Sequence, residues 1–196
     1  MKNLKKTAVV ALGLMMSLTA LANSPEAMVK EKEKNITKLH FDKVRQGSTL
    51  IIKDVNGLVL YKEAIEQTGA YSKGFDLTTL PDGDYFFELS SELKIEVIPF
   101  NVKFKEVEFN KDQKEFIYKP LVRTKGEMVY VWKTAIDQSP VSYKIYYAGS
   151  NELVRSEKFD SLEEVSKTYD FSGAKKGNYI FVFESKGRSY TKTIKI

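Results

Sequence analysis

The chain carries one pattern twice. Asp76 to Phe87 reads Asp-Leu-Thr-Thr-Leu-Pro-Asp-Gly-Asp-Tyr-Phe-Phe, and Asp170 to Phe181 reads Asp-Phe-Ser-Gly-Ala-Lys-Lys-Gly-Asn-Tyr-Ile-Phe, 94 positions later. The same offset brings Ile51 to Ile145, Ser72-Lys73 to Ser166-Lys167, Phe75 to Tyr169, Gly83 to Gly177 and Tyr85 to Tyr179, with no gap between residues 50–102 and 144–196. A gapless register that keeps aromatic, Asp, Gly and Tyr in place predicts two copies of one structural unit.

Within each copy the hydrophobic period is two. Thr37, Leu39 and Phe41 alternate with Ile36, Lys38 and His40, and Leu50 and Ile52 alternate with Ile51 and Lys53. This is the spacing of a strand with one buried face. Asp54-Val55-Asn56-Gly57 supplies Asn-Gly between two such runs, which predicts a type I′ hairpin turn, and Ala148-Gly149-Ser150-Asn151 stands in the matching place. Tyr85-Phe87-Leu89 and Tyr179-Phe181-Phe183 mark a central strand in each copy. The one helix-like pattern is the short Leu162 to Lys167 stretch. Many brief strands separated by turn residues predict an all-β chain of two tandem antiparallel immunoglobulin-like β-sandwich domains related by internal duplication. The expected division is a signal peptide over 1–22, a flexible lead-in over 23–35, and sandwiches over 36–122 and 123–196.

The leader expectation rests on Lys2, Lys5 and Lys6, the apolar run Thr7 to Leu21, and Ala20-Leu21-Ala22 as a small-x-small cleavage site before Asn23. Exported in this way, the mature chain would have no membrane-spanning segment and would reside in the periplasm, at the cell surface or outside the cell. The three leader lysines also bear on charge. Of 31 basic residues, 28 remain against 26 acidic ones, and so small an excess does not predict a nucleic-acid partner. Lys175-Lys176 and Lys186-Gly187-Arg188 are local basic spots in expected hairpin turns. Cysteine is absent, so core burial rather than disulfides must hold the fold.

Gly83-Asp84-Tyr85 and Gly177-Asn178-Tyr179 have the form of a tyrosine corner, in which the ring enters the core and the hydroxyl ties back the preceding connection. The hairpin Ile51 to Leu60, then Asp76 to Tyr85, then a closing strand resembles the C-terminal sorting modules of type IX secretion substrates and related small exported immunoglobulin-like β-sandwiches. Asp170 to Tyr179, Ile180 to Phe183 and Lys192 to Ile196 resemble them again at the end of the chain. The resemblance implies a sandwich fold and, for the second copy, a sorting role.

Catalytic constellations are not legible. His40 is the sole histidine and shares a strand face with Lys38, which predicts a surface histidine. No Gly-x-Ser-x-Gly elbow or glycine-rich phosphate loop occurs, and Asp82, Asp84, Glu163 and Glu164 read as turn acids. No residue set points to a catalytic, cofactor or metal site, and the expected function is non-catalytic. Tyr130 and Trp132, on one face of the Met128 to Trp132 strand, are the candidate ligand- or partner-facing residues. The competing expectation places Trp132 at the centre of the second core. Three readings follow: a structural or interaction module at the cell envelope with a protein or glycan partner, a carrier of a type IX sorting domain, and a carbohydrate-binding module.

Overall fold

The computed structural model describes residues 29–31, 35–109 and 111–196 and is built of strands. The expected signal peptide, residues 1–22, lies outside the described residues. In chain order the strands are β1 (Val29–Glu31), β2 (Ile36–Val44), β3 (Thr49–Asp54), β4 (Val59–Ala64), β5 (Gly69–Phe75), β6 (Gly83–Ser90), β7 (Lys94–Lys103), β8 (Glu106–Phe109), β9 (Glu115–Tyr118), β10 (Leu121–Lys125), β11 (Met128–Thr134), β12 (Val141–Tyr147), β13 (Glu152–Phe159), β14 (Glu164–Asp170), β15 (Asn178–Ser185) and β16 (Arg188–Lys195).

Every ladder is antiparallel, and the sheets divide the chain in two. The first half pairs β1-β2-β5 in one sheet and β4-β3-β6-β7-β8 in the other, with β9 also on β7. The second half pairs β10-β11-β14 and β13-β12-β15-β16. Seven strands of each half therefore occupy the same places, three in one sheet and four in the other, and the first half adds β8 and β9. Each half is an immunoglobulin-like sandwich.

Side chains alternate as the period-two pattern requires. Leu39, Phe41, Leu50, Ile52, Tyr85, Phe87, Phe100 and Val102 fill the first core, and Val129, Val131, Tyr143, Ile145, Tyr179, Phe181 and Phe183 fill the second. Removing Phe87 and Phe181 from water, both fully buried, contributes about 1.5–3 kcal/mol each. The tyrosine corners form in both halves. The Tyr85 hydroxyl donates to the Pro81 carbonyl at 2.8 Å, and that of Tyr179 to the Lys175 carbonyl at 2.7 Å. Gly177, at φ +147°, is required twice over, because a Cβ there would also meet the Tyr147 ring at 2.9 Å.

Several expectations are corrected. Val29–Glu31, placed in a flexible lead-in, pairs with β2 in the register Val29↔Lys38. The helix-like stretch at Leu162 to Lys167 is largely β14, because Val165 turns inward and the strand pairs along all of β11. The expected 122/123 boundary falls inside β10, which starts at Leu121. The Asp54 hairpin is not type I′. Gly57 N–H donates to the Asp54 carbonyl at 3.1 Å and only Gly57 of the loop has positive φ (+85°), so a three-residue loop closes on a glycine in the left-handed region. The Asp54 carboxylate stabilises it by accepting from Asn56 N–H at 2.9 Å and Leu58 N–H at 2.8 Å. Asn151, at φ +53°, takes the position of Gly57 in the second half.

Pro99 lies in β7, an interior strand, without breaking a ladder. On the side away from β6, β9 pairs with Lys94 to Val97 and β8 with Phe100 to Lys103. Pro99, which has no N–H to donate, falls in the gap between them.

Candidate functional site

β11 is the middle strand of its sheet, so its two faces are presented differently. Val129, Val131 and Lys133 are buried, whereas Met128, Tyr130, Trp132 and Thr134 lie half-buried on the outer face. Trp132 is not the centre of the second core. Tyr143, Tyr179, Phe181 and Phe183 from the opposing sheet already fill that volume, which leaves room for β-branched side chains from β11 and turns the larger rings outward.

Tyr130 and Trp132 run nearly parallel, with ring centroids 5.7 Å apart and planes 11° from each other. The register supplies their neighbours. Arg123, Tyr130 and Thr168 stand directly across one another in the three strands, as do Leu121, Trp132 and Ser166. Directly opposed residues share a sheet face, so the aromatic pair is flanked by a guanidinium, a leucine and two hydroxyls. Arg123, Ser166 and Thr168 are exposed. Sequence reasoning found the two aromatic residues but not these neighbours, because cross-strand register is invisible in a linear pattern.

The basic turns are occupied internally. Lys186 bridges Glu115 and Asp137, the latter at 3.0 Å, and Arg188 grips Glu88 with both terminal nitrogens, at 2.5 and 3.2 Å. Glu88 also accepts from Lys53 at 2.5 Å. Burial tends to raise the Glu88 carboxyl, but hydrogen bonds from Arg188 and Lys53 outweigh it and hold the group below its ordinary value. The turn between β15 and β16 is thus a clasp onto the first half. Beside it Tyr190, like Phe86, packs on the cluster of Ile95, Val97 and Ile117, covering part of the outer face of the larger first-half sheet. Lys133 is buried nearby, with Nζ donating to the Thr134 carbonyl at 2.7 Å, and desolvation lowers its ammonium below the usual lysine range.

Of the remaining candidates, His40, Asp82, Asp84 and Glu163 have structural partners, whereas Glu164, expected in a turn, opens β14 across from Thr134. His40 points outward from β2 with Nε2 3.0 Å from Asp42 Oδ1, while Leu39 and Phe41 are buried. Asp82 accepts from Phe104 N–H at 3.0 Å, and Asp84 from Asn101 Nδ2 at 2.7 Å. Glu163 ties the Ala135 amide through its backbone carbonyl at 2.7 Å. An arrangement that sequence reasoning missed recurs in both halves. Glu63 accepts from Tyr71 at 2.8 Å, from Lys73 at 2.7 Å and from Tyr61, joining the edges of the two first-half sheets. Glu157, 94 positions on, accepts from Arg155 at 2.5 Å, with the Tyr169 hydroxyl 3.5 Å away.

No family model and no curated protein matches this chain. Among solved structures it is similar to the BSP domain of a biofilm-associated protein, at 10% identity and TM-score 0.30 over 84% of this chain. The chain spans 27% of that structure's length. It is also similar to the human OSCAR ligand-binding domain, at 9% identity and TM-score 0.27, over 82% of this chain and 89% of that one. Overlaps this loose add nothing to the fold, which rests on strand order and packing.

Proposed function

We propose that the protein is an exported, non-catalytic interaction module of the cell envelope, in which two copies of an ancestral sandwich have diverged into a scaffold and a binding unit. The binding face is the outer surface of β10-β11-β14. The observation that carries this reading is the parallel Tyr130–Trp132 pair on that face, set in a rigid central strand among Arg123, Ser166 and Thr168. Aromatic rings bounded by small hydroxyls and one guanidinium suit a glycan, whose apolar ring faces pack on aromatics while its hydroxyls take hydrogen bonds. The non-catalytic part draws support from Asp54, Asp76, Asp82 and Asp170, each of which is engaged in accepting from a backbone N–H.

A glycan array probed with the whole protein tests the proposal. Binding to a polysaccharide class that is lost in Trp132→Ala and weakened in Tyr130→Ala is expected. Absence of any glycan signal, or binding indifferent to Trp132, would overturn it, and capture of a protein instead would redirect it. The sorting-module reading has its own support, since residues 121–196 complete both of their sheets without borrowing a strand. A reporter fused to residues 121–196 and exported independently of a type IX system would remove it.

A further inference from the structure

The hairpin between β7 and β8 breaks a local rule. Lys103 pairs with Glu106, leaving Phe104 and Lys105 as a two-residue loop with both φ angles positive, +51° and +63°. That turn favours Asn-Gly, because side chains with a bulky Cβ substituent disfavour the left-handed region. The equivalent type of turn between β15 and β16 meets the requirement with Gly187. Phe104 is nonetheless present and 80% exposed, more than any other large apolar side chain among the described residues. Its amide is held by Asp82 and the Lys103 ammonium lies 5.8 Å from the ring centre, so the tip is an apolar knob flanked by two lysines. A residue kept at a strained position without internal packing points to a contact outside the chain.

A complementary hole lies beside it. An open groove of about 880 Å³ on the outer face of the first-half sheet is lined by Val55, Phe86 and Pro99, with Asp84, Glu108 and Asp112 among its polar residues. None of the described residues that line it is a lysine or arginine. Glu108 also lines the small recess next to Phe104, so knob and groove are immediate neighbours.

We infer that this surface pairs two copies of the chain, with Phe104 of each seated in the groove of the other. An apolar tip flanked by positive charge meets an apolar floor with a negative rim. Because tip and groove adjoin, a two-fold axis between them satisfies both contacts together and closes the assembly. The inference does not depend on the Tyr130–Trp132 face, which belongs to the other half.

Sedimentation velocity on the whole protein, from micromolar to millimolar concentration, reads the outcome. A concentration-dependent dimer is expected. Phe104→Asn raises its dissociation constant about ten-fold or more, the scale of losing a buried aromatic anchor. The same variant raises the melting temperature of the monomer, since Asn tolerates the left-handed conformation. Lys103→Glu with Lys105→Glu, and separately Glu108→Lys with Asp112→Lys, each give monomers. An equimolar mixture of these two variants restores the dimer, because every tip then faces a groove of opposite charge. A monomer at all concentrations, a dimer insensitive to Phe104, or failure of the mixture to pair would overturn the proposal. Growth beyond a dimer would overturn the two-fold closure.

Discussion

The two halves place the same seven strands in the same order yet present opposite surfaces. In the first half, β2 sets Lys38 and His40 outward across from Gly74 and Ser72. In the second, β11 sets Tyr130 and Trp132 outward across from Thr168 and Ser166, the residues 94 positions beyond Gly74 and Ser72. One face of the sandwich thus carries a polar pair in one half and a stacked aromatic pair in the other. The larger first-half sheet differs again, since its outer face is partly covered by Tyr190 and Arg188 of the second half and extended by β8 and β9. Inward positions hold the fold and tolerate little change in volume, whereas outward positions are free to take different chemistry.

The largest effect that sharpens this comparison is in the cores. Phe87→Ala and Phe181→Ala, at matching places and both fully buried, each cost about 3–5 kcal/mol. Trp132, the sole tryptophan, reports the second half alone. Urea unfolding followed by its fluorescence shifts directly with Phe181→Ala, and with Phe87→Ala only as far as the clasp couples the halves. A Phe87→Ala effect on the tryptophan transition equal to that of Phe181→Ala would mean one cooperative body rather than two units.

Next comes the clasp. Arg188→Met leaves the buried Glu88 with Lys53 alone and costs about 2–3 kcal/mol, less than a fully buried broken pair because Arg188 keeps some solvent access. The tryptophan and far-ultraviolet circular dichroism transitions lie further apart in this variant than in the parent. An unchanged separation would show that the apolar cluster around Tyr190 suffices.

The tyrosine corners supply a smaller, symmetric effect. Tyr85→Phe and Tyr179→Phe each remove one hydrogen bond to a backbone carbonyl and cost about 1 kcal/mol, alike within error by denaturant midpoint. A clear inequality would show that the corners do different work.

The smallest effect is a pH dependence from the sheet-edge acid. Hydrogen bonds from Lys73 and Tyr61 hold Glu63 at about 2, below its ordinary 4.5. The unfolded chain binds the proton first as pH falls, so the contribution of Glu63 is present above about 4.5 and is lost on descent towards about 2. Glu63→Gln flattens that part of the stability curve. An unchanged acid limb would show that the pair does not hold in solution.

The strands and the tyrosine corners were legible because each depends on local chemistry: a period of two, and a glycine before a tyrosine. The site was half legible. Tyr130 and Trp132 stood out as aromatics on one strand face, but alternation alone left Val129 and Val131 as equally good candidates for that outward face. The clasp was hidden, since Glu88 and Arg188 are 100 positions apart and the Lys186–Arg188 turn reads on its own as a solvated basic loop.

Sequence by itself determined the all-β class, the recurrence of one strand pattern and the core-facing residues of most strands, because backbone geometry repeats every two residues wherever a sheet buries one side. Tertiary structure decided which face of β11 is outward, which residues flank Trp132, and that the last hairpin grips the first half. Those outcomes depend on volumes filled and charges met by strands distant in the chain, and no local pattern encodes them.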